Sequence, residues 1–280
     1  MKWLFIILAS LFAINTTYAQ KLPNVQKASV WAPANIKIDG KADEWNDQYQ
    51  AHNNATDIYY SISNDSENIY LILKITRAFV IDKIIKGNIS LTINHTLKKK
   101  DDSPVTITYP VLKRADANSV SNLLNSKIGT HNDAAGVDNS LKGLNNLLST
   151  KSKSINVQGI KNIPDDDISV YNDEGIKAVS KFDKPLVYVY ELAVPLRYFD
   201  LPNNGLDAFS YHIKLNAEKE SNNTNVEALV SPMNSGGLPP PPPPARASVA
   251  TTDFWGEYTL AKNRDEWLKT YQSVIKNILQ

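Results

Sequence analysis

The chain is 280 residues long, has no cysteine, and carries 30 Lys and Arg against 29 Asp and Glu. So even a charge balance excludes an electrostatic grip on nucleic acid or anionic lipid. The missing thiols exclude disulfides, thiolate zinc sites and thiol catalysis, so the fold must be held by its core alone.

The first residues, "MKWLFIILASLFAINTTYAQ", place Lys2 before an apolar run from Trp3 to Ile14, then Thr17-Tyr18-Ala19. This order is that of an export signal cleaved after Ala19. The run is shorter than the about 20 apolar residues needed to cross a bilayer. Removing residues 1–19 takes only Lys2 from the 30 basic residues, leaving 29 of each sign in the mature chain. The expected destination is the periplasm or the cell exterior, and no later stretch is apolar for long enough to be a transmembrane segment.

Strand patterns follow. Ile58, Tyr60 and Ile62 alternate with Tyr59, Ser61 and Ser63; "NDSEN" turns the chain; Ile69, Leu71, Leu73 and Ile75 alternate with Tyr70, Ile72 and Lys74. Period-two apolarity around a polar turn predicts a hairpin packed on one face. Ile89, Leu91, Ile93 and Val105, Ile107, Tyr109 repeat the pattern. Residues 111–165 lose it: Leu123, Leu124, Leu141, Leu144, Leu147 and Leu148 fall at helical spacings, predicting a helical or irregular insertion with loose ends. Strands resume in "PLVYVYELAVPL" and in "AFSYHIKLN", where Phe209, Tyr211, Ile213 and Leu215 form one buried face, with an Asn-Gly turn in "LPNNGLD" between them. Residues 233–250 are a Gly/Pro-rich loop whose six consecutive prolines favour a polyproline II rod. At 263–279, Trp267, Tyr271, Val274, Ile275 and Ile278 recur at helical spacing and predict an amphipathic C-terminal helix. The fold class expected is all-β with added helices, an antiparallel β-sandwich forming a single domain over residues 20–280.

Catalytic signatures are absent: no Gly-x-Ser-x-Gly elbow, no phosphate-binding Gly-Lys loop and no His-Glu-x-x-His helix. His52, His95, His131 and His212 show no ligand spacing, and His212, flanked in phase by Ser210 and Lys214, reads as an ordinary solvated histidine. Asp165, Asp166 and Asp167 are the densest acid run and the candidate for calcium. Calcium needs six to eight oxygens from several segments, and three adjacent acids point apart, so a solvated loop is the competing reading. Aromatics offer more, because Trp or Tyr can lie flat against a sugar ring and exclude water with it. From Trp31, Trp45, Trp255, Tyr59, Tyr60 and Tyr70, the ligand-binding candidates are Tyr59, Tyr60, Trp45 and Trp255, each with packing as its alternative, above all Trp45.

The fragments "IDGKADEWND" (Ile38 to Asp47), "YYSISNDSENIYLILKI", "VYELAVPL", "FSYHIKLN" and "DFWGEYTL" come in an order that resembles the family 9 carbohydrate-binding modules and their DOMON-like relatives. The resemblance implies the sandwich fold and, in members that hold sugar, a pair of clamping tryptophans. Where the first would stand this chain reads "DKIIKGNISLTIN", and the second region is the proline rod, so neither clamp carries over. Trp255 matches the aromatic-Gly pair of the last strand, a framework position. A haem role, known in DOMON-like relatives, finds no matching axial ligand. Three functions are therefore expected in descending order: an exported non-catalytic binding module for carbohydrate or another small ligand on a rebuilt loop face; a structural or interaction protein of the cell envelope with a protein partner; and a hydrolase of envelope polymers, which would need two carboxylates in one cleft.

Overall fold

The computed structural model describes residues 21–100, 102–127, 134–184, 187–199, 207–218 and 250–263, with Gln272 and Ile275. The expected leader, the Asn204-Gly205 turn, His131, the proline loop up to residue 249, and Trp267 and Tyr271 lie outside the described residues. Of the expected C-terminal helix at 263–279 only Asn263, Gln272 and Ile275 are described, the latter two helical.

Two antiparallel sheets pack against each other. The first runs β1 (Ala51–Asn53), β2 (Ile58–Asn64), β3 (Asn68–Ile75), β9 (Val187–Pro195), β8 (Lys177–Lys184). The second runs β11 (Thr252–Thr259), β10 (Ala208–Leu215), β4 (Ile89–Ile93), β5 (Val105–Tyr109), β6 (Ser154–Gln158), β7 (Asp167–Ser169). The alternating residues Ile89, Leu91, Ile93, Val105, Ile107, Phe209, Tyr211, Ile213 and Leu215 are all buried between the sheets. Tyr60 and Tyr211 meet there from opposite sheets, their hydroxyls 2.9 Å apart, and Tyr60 also accepts the Gln26 amide at 2.9 Å. Gly256 has no alternative beside Tyr211: a Cβ would sit 2.2 Å from that ring.

The hairpin β2–β3 is not packed on one face, as its alternation suggests, but on two. Residues 32–50, with Leu22, lie across the outer face of the five-stranded sheet, burying Ala32, Trp45 and Tyr49 against Tyr70, Ile72, Val189 and Ala193 in a second, smaller core. The turn itself is fixed by Asp65, whose carboxylate accepts the Glu67 and Asn68 amides at 2.7 Å and the Tyr70 hydroxyl at 2.6 Å. An Asp folding back on its own backbone in this way is the ordinary chemistry of such turns.

Three helices are added. Helix α1 (Ala78–Gly87) places Val80, Ile81, Ile84 and Ile85 in the main core, and Gly87 lets it end against the Asn216 carbonyl, which a Cβ would approach to 2.0 Å. Helices α2 (Arg114–Lys127) and α3 (Ala134–Lys151) form the expected insertion, but it is not a loose excursion. Val120, Leu124, Leu144 and Leu148 are buried in the same core. Lys151 pairs with Asp116 at 2.9 Å, and Ser121 donates to Asp82 of α1. Asn145 of α3 treats β8 as a neighbouring strand would, donating to the Phe182 carbonyl and accepting the Phe182 amide, each at 2.8 Å. An otherwise open sheet edge is thus covered. The insertion also ends earlier than the composition suggests, because residues 154–158 are β6, paired to β5.

Candidate binding site

The "IDG" turn proves to be a clamp. The amides of Asp39 and Gly40 donate to one carboxylate oxygen of Glu191, in the "VYELAVPL" strand, at 2.9 and 2.7 Å. Gly40 adopts φ +81° and lies under the Lys181 side chain, whose ammonium donates to the Asp39 carbonyl at 2.6 Å. Glu191 is 1% exposed, and its other oxygen has no hydrogen-bond partner. Burial pushes its carboxyl up to about 7, the two amides pulling the other way and the charges of Asp39 and Glu44 adding to the rise. Trp45 follows in a 3-10 turn (Asp43–Trp45) and is buried beneath the same segment. Tyr60, with no exposed surface, and Tyr70 are likewise interior, and Trp31 is half-buried in a bridge to Asn64. Trp45, Tyr60 and Tyr70 offer no free ring face, whereas Trp31 lines a separate, smaller groove of about 370 Å³ with Asp65, Leu196 and Leu260.

Tyr59 and Trp255 do lie at the surface, in two different grooves. Tyr59 stacks on His52 with ring centroids 4.2 Å apart and stands 6.2 Å from Tyr49. Both tyrosines line a groove of about 710 Å³ with Leu22, Pro23, Gln48 and Gln50. Its one carboxylate, Asp47, is taken by Lys74 at 2.6 Å. His52 is oriented by Asp57 at 3.1 Å, and Asp57 also faces Arg77 at 3.4 Å.

Trp255 projects from the outward face of β11. Opposite it, in register on β10, is His212, and the two rings are parallel to 3° with centroids 4.3 Å apart. His212 is therefore not the ordinary solvated histidine its polar phase suggests: its side chain is 17% exposed, covered by the indole. Burial lowers its pKa from the ordinary value, against the opposing pull of Asp253, whose carboxylate lies 3.4 Å from Nε2 in a charge contact rather than a hydrogen bond. From this pair the outward row continues through Thr92, Thr106 and Gln158, strand by strand. The next row reads Asp253, Lys214, Ser90, Thr108, Asn156 and Asp167. Cross-strand hydroxyl pairs, Thr92–Thr106 at 2.9 Å and Ser90–Thr108 at 2.8 Å, hold it together. One ring face of Trp255 is thus covered, and the residue lines a groove of about 670 Å³ along the edge strand β11, with Lys27, Ser29, Leu97, Lys99 and Glu257. Both groove volumes are in the range of small-molecule sites.

Asp165, Asp166 and Asp167 are all exposed, and Asp167 opens β7, where it accepts the Asn156 side-chain amide at 3.0 Å. Among the described residues, no three His, Asp or Glu side chains converge on a point where a metal ion could sit. No described helix is long and apolar enough to cross a membrane. Compared with known proteins, the chain matches no family model, no curated protein and no solved structure.

Tyr49 lines the first groove, and His52 and His212 back the rings of Tyr59 and Trp255; the sequence singles out none of the three as a ligand contact. Each is ordinary in its local context. What brings His52 and His212 to the site is a ring stacked from the neighbouring strand, and only strand register reveals that.

Proposed function

We propose that the chain is an exported, non-catalytic binding module whose ligand is a carbohydrate, stacked on the rings of Trp255 and Tyr59. The observation that carries this reading is the Trp255–His212 stack. A tryptophan braced on one face by a parallel imidazole is held rigid at the margin of an open groove, so little side-chain freedom is lost when a flat apolar face lands on it. Around it stand hydroxyls, amides and single charges of both signs, the complement of a polyhydroxylated ligand. The resemblance to the family 9 modules gains support from the clamp, since Asp39-Gly40 and Glu191, from two of the matching fragments, bind each other. Export rests on the leader at 1–19.

A thermal-shift panel of the mature chain, residues 20–280, against mono- and oligosaccharides tests this. Ligand at a hundred times its dissociation constant adds about 2.7 kcal/mol, or about 5–10 °C at about 2–4 °C per kcal/mol. The shift is expected to vanish in Trp255→Ala. A second reading, an envelope interaction protein, is favoured by two large exposed side chains, Tyr171 at 80% and Phe79 at 62%. It would show as capture of a protein partner that Phe79→Ser or Tyr171→Ser abolishes, with no response to any sugar.

A further inference from the structure

The two aromatic grooves share a wall. Lys27 and Ala28 line both of them, so the segment from Val25 to Ser29 is a rim with the Trp255 groove on one side and the Tyr49–Tyr59 groove on the other. Lys27, Ala28 and Ser29 are exposed, and Ala28 presents only a methyl group at the crest. The rim is firmly seated. Gln26 is 3% exposed, its side-chain carbonyl accepting the Ile62 amide at 2.7 Å and its amide donating to the Ile62 carbonyl at 2.8 Å. Just beyond the rim, the Val30 amide donates to the Tyr258 hydroxyl at 3.2 Å.

Tyr59 stands on the outer side of the five-stranded sheet and Trp255 on the outer side of the six-stranded one, so the rim crosses the flank of the sandwich between them. Packed sheets lie about 10 Å apart, and side chains on the two outer faces are farther apart than that. No single sugar ring reaches both. Along the way, Lys27, Ser29, Gln48, Lys99 and Glu257 make no side-chain hydrogen bond or ion pair among the described residues. They are uncommitted donors and acceptors on both slopes of the rim.

Resting on the carbohydrate reading above, we infer that the ligand is an oligosaccharide chain of several units laid over the Lys27–Ala28 rim, with one part stacked on Trp255 and another on Tyr59. The two grooves are subsites of one bipartite site, and the small crest at Ala28 is the passage between them. Affinity therefore grows with chain length until both grooves are filled. Disaccharides occupy one groove only.

Isothermal titration of the mature chain with cello-, malto- and chito-oligosaccharides of two to six units tests this. In the series that binds, affinity is expected to rise at least tenfold from two units to six. Ala28→Trp, which raises the exposed crest without entering the core, and Tyr59→Ala are each expected to return the six-unit ligand to the affinity of the two-unit one. The thermal midpoint of each variant without sugar should match that of the native protein, which reports an intact fold. Equal affinity at every length, or a six-unit ligand indifferent to both variants, would overturn the bipartite site while leaving a sugar-binding module. Absence of binding in all three series would remove the carbohydrate reading and this inference with it.

Discussion

Replacing Glu191 by Gln keeps an acceptor for the Asp39 and Gly40 amides and removes the charge. In the folded chain the carboxyl is pushed up to about 7 by burial, from an ordinary 4.5. A raised folded-state value means that the group binds its proton more tightly when folded. Its stabilising contribution is complete below pH 4.5 and is lost as pH rises through about 7. About 2.5 units at about 1.36 kcal/mol each give about 3 kcal/mol of stability lost across that window. Urea unfolding of the native protein and of Glu191→Gln, at intervals from pH 4 to pH 8.5, isolates the effect, because the other titrations cancel in the difference. The variant is expected to gain on the native protein by about 3 kcal/mol between pH 4.5 and pH 8, with the slope confined to that interval. Two parallel stability curves would refute the reasoning and mean that the amide clamp fully offsets the desolvation.

Four further outcomes follow from the same geometry. Gly256→Ala drives a methyl into the Tyr211 ring and displaces it from Tyr60; overpacking and a lost hydrogen bond together should cost about 2–4 kcal/mol in chemical denaturation. Asn145→Ala orphans the amide and carbonyl of Phe182 on an edge strand and should cost about 1–3 kcal/mol, with faster amide exchange in β8. Trp255→Ala removes a half-buried surface ring and should lower stability by about 1 kcal/mol or less while abolishing the sugar-induced thermal shift. N-terminal sequencing of the protein recovered outside the cytoplasm should begin at Gln20.

Strands β4, β5 and β10 of the six-stranded sheet are legible because that sheet has one solvent face: Leu91 and Ile107 point inward while Thr92, Thr106 and Lys214 point out, so a clean period of two survives in the sequence. The five-stranded sheet is covered on both sides, and there the outward phase carries Ile72, Val189 and Ala193. Those apolar residues record the second covering layer, but its source, the segment at 32–50, is too irregular to be recognised by period. Helix α1 is spelled out by Val80, Ile81, Ile84 and Ile85 at helical spacing, but its apolar run passes almost directly into the strand Ile89–Ile93, which blurs the two periods. In the insertion, Leu124, Leu144 and Leu148 announced helices correctly, while the short strand Ser154–Gln158 was lost behind them. Of the ring-stacking candidates, Tyr59 and Trp255 reach the surface and Tyr60 and Trp45 do not. Phase separates Tyr60 from Tyr59 directly, since Tyr60 shares the inward face of Ile58 and Ile62. No local signal pairs His212 with Trp255, because that contact belongs to the register of β10 with β11.

The most direct test of the central claim is a titration of the 15N-labelled mature chain with oligosaccharide, followed at the tryptophan indole N–H resonances. Residues 20–280 contain four indoles: Trp31, Trp45, Trp255 and Trp267. The Trp255 resonance is expected to move with saturation while that of Trp45, buried beneath the segment that carries the Asp39–Gly40 turn, stays in place. A Trp255 resonance that stays fixed while sugar binds, or four indoles that respond to no sugar, would contradict it.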